Sequence, residues 1–204
     1  MKKVILITFL VLFSFTANAQ ELKFGAKAGV NFASVTGSGA VGFDGRTSFH
    51  FGITSEIEIS ESFSLQPELT YSGQGFTGGY TEIQTSDDTF VEGYLTGRLN
   101  YLNLPVMAKY YVNEAFSLEF GPQIGFLLNA KTEESYSGST SITTDVTKSL
   151  KSTDFSVNFG AGYKIESGLN FGLRYNLGLT NFDADDDDLY IKNGVFQVSV
   201  GYNF

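Results

Sequence analysis

Nine charged residues alternate with large apolar ones along this 204-residue chain: Lys23, Lys27, Glu56, Glu58, Glu68, Lys109, Glu119, Lys164 and Arg174. Five are cations and four are anions, so two chemistries compete. As a row of free charges they would make a selectivity path for ions. As neighbours they would neutralise one another, because buried charge persists only when it is paired. The near balance favours pairing. Arg174 with Glu119 or Glu68 is the expected central pair, since a guanidinium grips a carboxylate in a two-pronged fork.

Three other features invite a chemical reading. His50 is the only histidine. Acyl transfer would need it oriented beside a hydroxyl and a carboxylate, but the sequence singles out no partner, so no enzymatic activity is expected. The run DADDDD at 183–188 places Asp183, Asp185 and Asp187 where an EF-hand loop has its first ligands. Asp188 stands in place of that motif's glycine and Gly194 in place of its closing glutamate. It reads as a solvated acidic loop; weak divalent-metal binding through those three aspartates, bridging to lipopolysaccharide phosphates, is the alternative. GSGAVG at 37–42 matches G-x-G-x-x-G by letter, yet FDGRTSFHFG follows it where a dinucleotide fingerprint needs a helix. No cofactor is expected. The absence of cysteine excludes disulfides and thiolate metal sites.

The elements that carry these residues alternate with period two. In LKFGAKAGVNF the apolar set is Leu22, Phe24, Ala26, Ala28, Val30 and Phe32. FHFGITSEIEI, FSLQPELTY, YLNLPVMAKYY, FSLEFGPQIGFLL, FSVNFGAGYKI, LNFGLRYNLGL and VFQVSVGYNF repeat the pattern. None shows the 3.6 period of a helix, so eight strands are expected. Three connections are tight: Ser60 to Ser62, Val112 to Ala115, and Glu166 to Gly168. Four are long and polar, roughly 34–48, 73–97, 130–153 and 180–194. An even strand number with short turns at one end and long loops at the other is the pattern of a transmembrane barrel.

MKKVILITFLVLFSFTANAQ has two lysines, an apolar run and a small-x-small step at Ala17 to Ala19. That layout predicts a cleaved signal peptide over 1–19, leaving 20–204 as one domain. At the other end Phe196, Val198, Val200, Tyr202 and Phe204 alternate to the last residue. The last strand must pair with the first, because an open sheet edge cannot exist in hydrocarbon. These five side chains read as an assembly signal for barrel-insertion machinery.

A soluble barrel would turn its apolar face inward. About 45 mostly large side chains lie on the apolar faces, whereas a comparable eight-stranded core holds roughly twelve. They fit only on an outer belt of about 25 Å. The opposite face is rich in glycine and sparse in charge, as suits a cramped lumen. The expected fold is therefore all-β: an eight-stranded antiparallel up-and-down transmembrane β-barrel. With 13 basic against 22 acidic residues the net charge is −9, which argues against nucleic acid as a partner.

YLNLPVMAKYY, with Tyr101, Leu102, Leu104, Pro105, Lys109 and Tyr110, together with the closing GYNF, resembles the outer-membrane β-barrel family of Bacteroidetes-type (Gram-negative) bacteria, described as porin-like or PorT-related and OmpA/OmpX-like in size. The resemblance implies residence in the outer membrane and an accessory role in envelope secretion as one reading. The residues themselves favour a monomer with a plugged lumen and a structural or adhesive role. Its partners would be outer-membrane lipid, lipopolysaccharide and an unidentified extracellular partner that meets four outer loops. A porin for ions or small solutes is the alternative. Pro67, Pro105 and Pro122 fall inside strands, where bulges are expected.

Overall fold

Alternation of polar and apolar residues forces each segment into extended chain, because only then do all apolar side chains share one face. The computed structural model describes residues 22–84, 89–136, 141–181 and 190–204. Nine strands follow in order: β1 Leu22–Thr36, β2 Phe43–Ser60, β3 Phe63–Gln84, β4 Thr89–Tyr111, β5 Phe116–Tyr136, β6 Ile142–Asp145, β7 Thr153–Lys164, β8 Leu169–Gly178 and β9 Lys192–Asn203. The segment expected to be a signal peptide lies outside the described residues.

Eight of these strands close a ring. Neighbours run β4-β3-β2-β1-β9-β8-β7-β5, and β4 pairs with β5. Every pairing is antiparallel. The seam between first and last strands runs from Gly25↔Asn203 to Thr36↔Lys192. Glycine is required at one point of it: a Cβ on Gly29 would lie 2.0 Å from the Val198 carbonyl oxygen. The four-residue β6 is the ninth strand and pairs with β5 alone.

The burial pattern is inverted relative to a water-soluble domain. Asn31, Ser64, Ser72 and Asn158 are fully buried, while Phe24, Phe49 and Ile53 are each more than half exposed. The apolar faces therefore form the outer wall. Phe196, Val198, Val200, Tyr202 and Phe204 all project from that wall.

At the short-turn rim the chain reverses by local chemistry. Asn113 Oδ1 accepts from the N–H groups of Ala115 and Phe116 at 3.0 and 2.8 Å, an Asx turn. Gly168 takes φ +90°, which favours glycine.

The other rim differs from expectation. Much of 73–97 and the start of 130–153 are strand, since β3 and β4 pair out to Gln84↔Thr89 and β4 and β5 out to Gly93↔Tyr136. A bulge sets Asn100 against Asn129 but Tyr101 against Leu127. The extra residue turns Ala130 inward, where Val35, Leu99, Tyr101 and Ala130 form an apolar cluster. Phe43, Phe76, Leu127, Val146, Leu150 and Ile191 pack on it, and the Phe43 and Phe76 rings lie 4.4 Å apart.

The prolines also correct the sequence reading. Pro67 faces Val106, Pro105 faces Gln123 and Pro122 faces Val157, with unchanged register on both sides. An interior strand residue directs its N–H to only one neighbour, so each proline deletes a single bond without inserting a residue. The register shifts fall elsewhere, between Gly45 and His50, Glu58 and Ser60, and Asn100 and Tyr101.

Candidate functional site

The polar faces of the eight wall strands converge on one narrow lumen, so residues far apart in sequence meet across it. At the short-turn rim a cavity of about 670 Å³ opens. Lys23 pairs there with Glu58 at 2.6 Å, and Lys164 Nζ sits 4.2 Å above the Tyr111 ring. That contact is a cation–π interaction.

Deeper in, six of the nine charges form one string of alternating sign. Lys27 pairs with Glu68. Arg174 Nη1 and Nη2 donate to the two oxygens of Glu68, each at 2.9 Å, and Nη2 donates to Glu119 Oε2 at 2.9 Å. Lys109 Nζ lies 3.9 Å from Glu119 and 3.2 Å from Glu56. The string thus runs Lys27, Glu68, Arg174, Glu119, Lys109, Glu56. Its members come from β1, β3, β8, β5, β4 and β2, six of the eight wall strands.

Neutral groups complete the set. Gln66 donates to Glu68 at 2.7 Å and accepts from Lys109 at 3.1 Å. Ser64 donates to Glu56 at 2.6 Å, as does the Tyr111 hydroxyl. Arg174, the predicted centre, meets both of the partners named for it.

Toward the long-connection rim the lining changes to amides. His50 Nδ1 lies 2.7 Å from Asn31 Oδ1, which also accepts from Gln197 at 2.9 Å. Asn31 Nδ2 donates to Ser72 Oγ at 3.0 Å and to the Gly73 carbonyl at 2.7 Å. With Oδ1 as acceptor, His50 carries its proton on Nδ1 and leaves Nε2 as an acceptor. Its ring partner is an amide, so the hydroxyl and carboxylate that acyl transfer needs are not gathered on it.

One rung further, Asn176 donates to Ser156 at 2.7 Å and to Asn158 at 3.1 Å. Asn193 Nδ2 lies 3.4 Å from the Tyr101 hydroxyl and 3.5 Å from Asp154 Oδ2. The lumen-facing Asp154 is absent from the sequence-derived set because it borders the segment read as a loop. It is in phase with Ser156 and Asn158, which was the available signal.

Asp183, Asp185 and Asp187 lie outside the described residues. Among the described residues no three Asp, Glu or His side chains gather to hold a metal. On the exposed β6, Asp145 accepts from the Thr147 N–H at 2.9 Å, which holds its carboxyl below the usual range.

Comparison with known proteins agrees with this architecture. The family model described as outer membrane protein beta-barrel domain matches residues 18–184. No curated protein matches the chain. The solved structure of Ail, the attachment invasion locus protein of Yersinia pestis, is similar with a TM-score of 0.53 and 15% identity, covering 90% of this chain and 99% of that one. Its complex with the heparin analogue sucrose octasulfate gives 0.51 and 14% over the same shares. Neisserial surface protein A gives 0.54 and 10%, covering 92% and 100%. At such identities these likenesses speak for the fold alone.

Proposed function

The chain belongs to the outer membrane protein beta-barrel domain family, and from that premise we propose that it is a monomeric barrel with a plugged lumen, whose outer elements make structural or adhesive contacts. It resides in the outer membrane, in contact with lipid and lipopolysaccharide. The observation that carries the reading is the string from Lys27 to Glu56. A conducting pore keeps its charges free to meet ions, whereas these are engaged with one another across the width of the lumen. The apolar cluster of Val35, Leu99, Tyr101 and Ala130 supports a second closure nearer the long-connection rim.

What remains available for recognition is the extension of β3, β4, β5 and β6 beyond the wall. Ail was solved with a sulfated heparin analogue, but this chain carries 22 acidic against 13 basic residues. A polyanion is therefore a poor match for it, and a neutral or cationic surface a better one. The YLNLPVMAKYY strand supports placing the chain with the Bacteroidetes-type, PorT-related branch. Residues 1–19 serve as the export signal, and Phe196, Val198, Val200, Tyr202 and Phe204 as the strand that assembly machinery engages.

Planar-bilayer recording of the purified barrel tests the closed lumen: no stable conductance steps are expected, and steady ohmic steps would return the porin reading. Attachment of cells producing the full barrel is compared with that of cells whose β3–β4 hairpin is shortened to Gly78 and Leu95. Weaker attachment supports the adhesive reading, and equal attachment overturns it.

A further inference from the structure

Of the nine charges in the lumen network, eight pair: Lys23 with Glu58, and the six of the string among themselves. Lys164 is the remainder. Among the described residues no carboxylate oxygen lies within 4 Å of its nitrogen, which rests on the Tyr111 ring instead. An ammonium that faces a cavity without a countercharge still has donors for an anion. We propose that the short-turn mouth of the barrel binds a short peptide with both termini free, its carboxylate on Lys164 and its ammonium among the turn glutamates.

Three observations converge on it. First, the mouth cavity of about 670 Å³ adjoins a niche of about 40 Å³ against the string, and Tyr111, Ala115, Tyr163, Lys164 and Asn203 line both. The larger space is of the size that takes small ligands, and the smaller has room for about three waters or a carboxylate in their place. Second, charge is sorted between the two. The niche is lined by Lys27, Lys109, Lys164 and Arg174, with Glu119 as its one acidic residue among those described. Three of these cations already hold carboxylates of the string, so Lys164 is the one with a free face. The mouth carries Glu61, Glu114 and Glu166, one from each tight turn and all exposed. Its other charges, Lys23 and Glu56, are paired. Third, the Thr54 and Ser117 hydroxyls line the niche at 8% and 2% exposure and have no hydrogen-bond partner among the described residues. A carboxylate has lone pairs for both. Gly162 and Gly172 are register partners that keep the niche open: a Cβ on the first would lie 2.8 Å from Ser117 Oγ, and on the second 2.7 Å from Ser199 Oγ.

The acidic mouth and the basic niche orient a zwitterion and disfavour a simple anion, which would meet the glutamates first. An extended peptide of three residues spans about 10 Å, enough to reach from one space into the other. Asp154, the remaining lumen carboxylate, lies ten residues from Lys164 along β7, about 33 Å away, and so does not neutralise it. Short turns of such barrels face the periplasm, and the ligand enters from that side. The site rests on the barrel fold alone and stands whether or not the outer elements are adhesive.

The test titrates the ¹⁵N-labelled barrel in detergent micelles with three peptides of one length: triglycine, N-acetyl-triglycine, which lacks the ammonium, and triglycine amide, which lacks the carboxylate. The backbone amide signals of Ser117, Gly162 and Gly172 report occupancy, and those of Asn31 and Ser72 in the amide layer serve as the control. Triglycine is expected to move the first set with a Kd on the order of 1 mM, and each capped peptide to bind roughly tenfold more weakly. Lys164→Met should weaken triglycine by about the same factor and leave triglycine amide unchanged, a split that a general loss of structure would not give. No shift at about 20 mM triglycine would overturn the proposal. So would equal binding of either capped peptide, or undiminished binding of triglycine by Lys164→Met. Should Lys164→Met lack the heat-dependent gel shift of a folded barrel, Ser117→Ala serves: weaker triglycine binding supports the niche and unchanged binding overturns it.

Discussion

In the middle of the lumen six charged side chains satisfy one another, and no orphaned buried atom belongs to them. In the amide layer beyond, His50 Nε2, Gln74 Oε1, Asp154 Oδ1, Asn176 Oδ1 and Asn193 Oδ1 all lack a donor. Both regions are buried and both draw on β2, β3 and β8, so burial does not account for the contrast. Chemistry does. Lysine and arginine carry several donors each and no acceptor, and they soak up the carboxylate lone pairs around them. An amide brings one acceptor for each donor group, and a cluster of amides, one imidazole and one lone aspartate has no surplus of donors to close the count.

If the contrast is real, removing a donor from the string should cost the most. Arg174→Ala leaves Glu68 and Glu119 buried without their fork, and a loss of about 3–5 kcal/mol is expected, measured by urea unfolding in lipid vesicles. A loss below about 1 kcal/mol would mean that water enters the string freely. Next comes the outer wall, which faces a different solvent. Leu173→Arg places a charge on the lipid side and should cost roughly 2–4 kcal/mol if that position is near the bilayer midplane. In the amide layer, Asn31→Ala removes the bonds to Ser72, the Gly73 carbonyl and His50, for an expected loss of about 1–3 kcal/mol. The smallest effect belongs to Arg98→Ala. Arg98 pairs with Glu133 outside the lumen, where their side chains are 51% and 29% exposed, and such pairs contribute about 0–1 kcal/mol. Raising the salt from 0.1 to 1 M should erase that last difference and leave the Arg174→Ala loss in place. Salt sensitivity of the opposite order would break the comparison.

The wall was legible in the sequence because lipid outside and polar groups inside impose opposite demands on successive residues. Above the membrane both faces of a strand can be polar, and the period-two contrast fades. That is why the outer halves of β3, β4 and β5 read as loops. The members of the charged string were legible by phase, since Lys27, Glu68, Lys109, Glu119 and Arg174 sit opposite apolar neighbours. Their pairing was less so, because Lys109 meets both Glu56 and Glu119 only once register and closure set the distances. Asp154 escaped because a strand's first residues have too few neighbours to establish a phase. One member of the inward apolar cluster, Ala130, escaped for another reason: the extra residue at Leu128 reverses the phase of β5, and nothing in the local composition marks it.

The seam between β1 and β9 has a consequence in time. Gly25 and Asn203 are partners, so the pairing that removes the last free edges joins segments separated by almost the entire chain. Such long-range closure is slow. Until it happens every intermediate carries two raw strand edges, each a template for joining another chain. Loss of the twelve residues of β9 would therefore not leave seven-eighths of a barrel. It would leave a curved sheet with two adhesive borders in a crowded compartment, a species whose fate is set by how fast something else caps it.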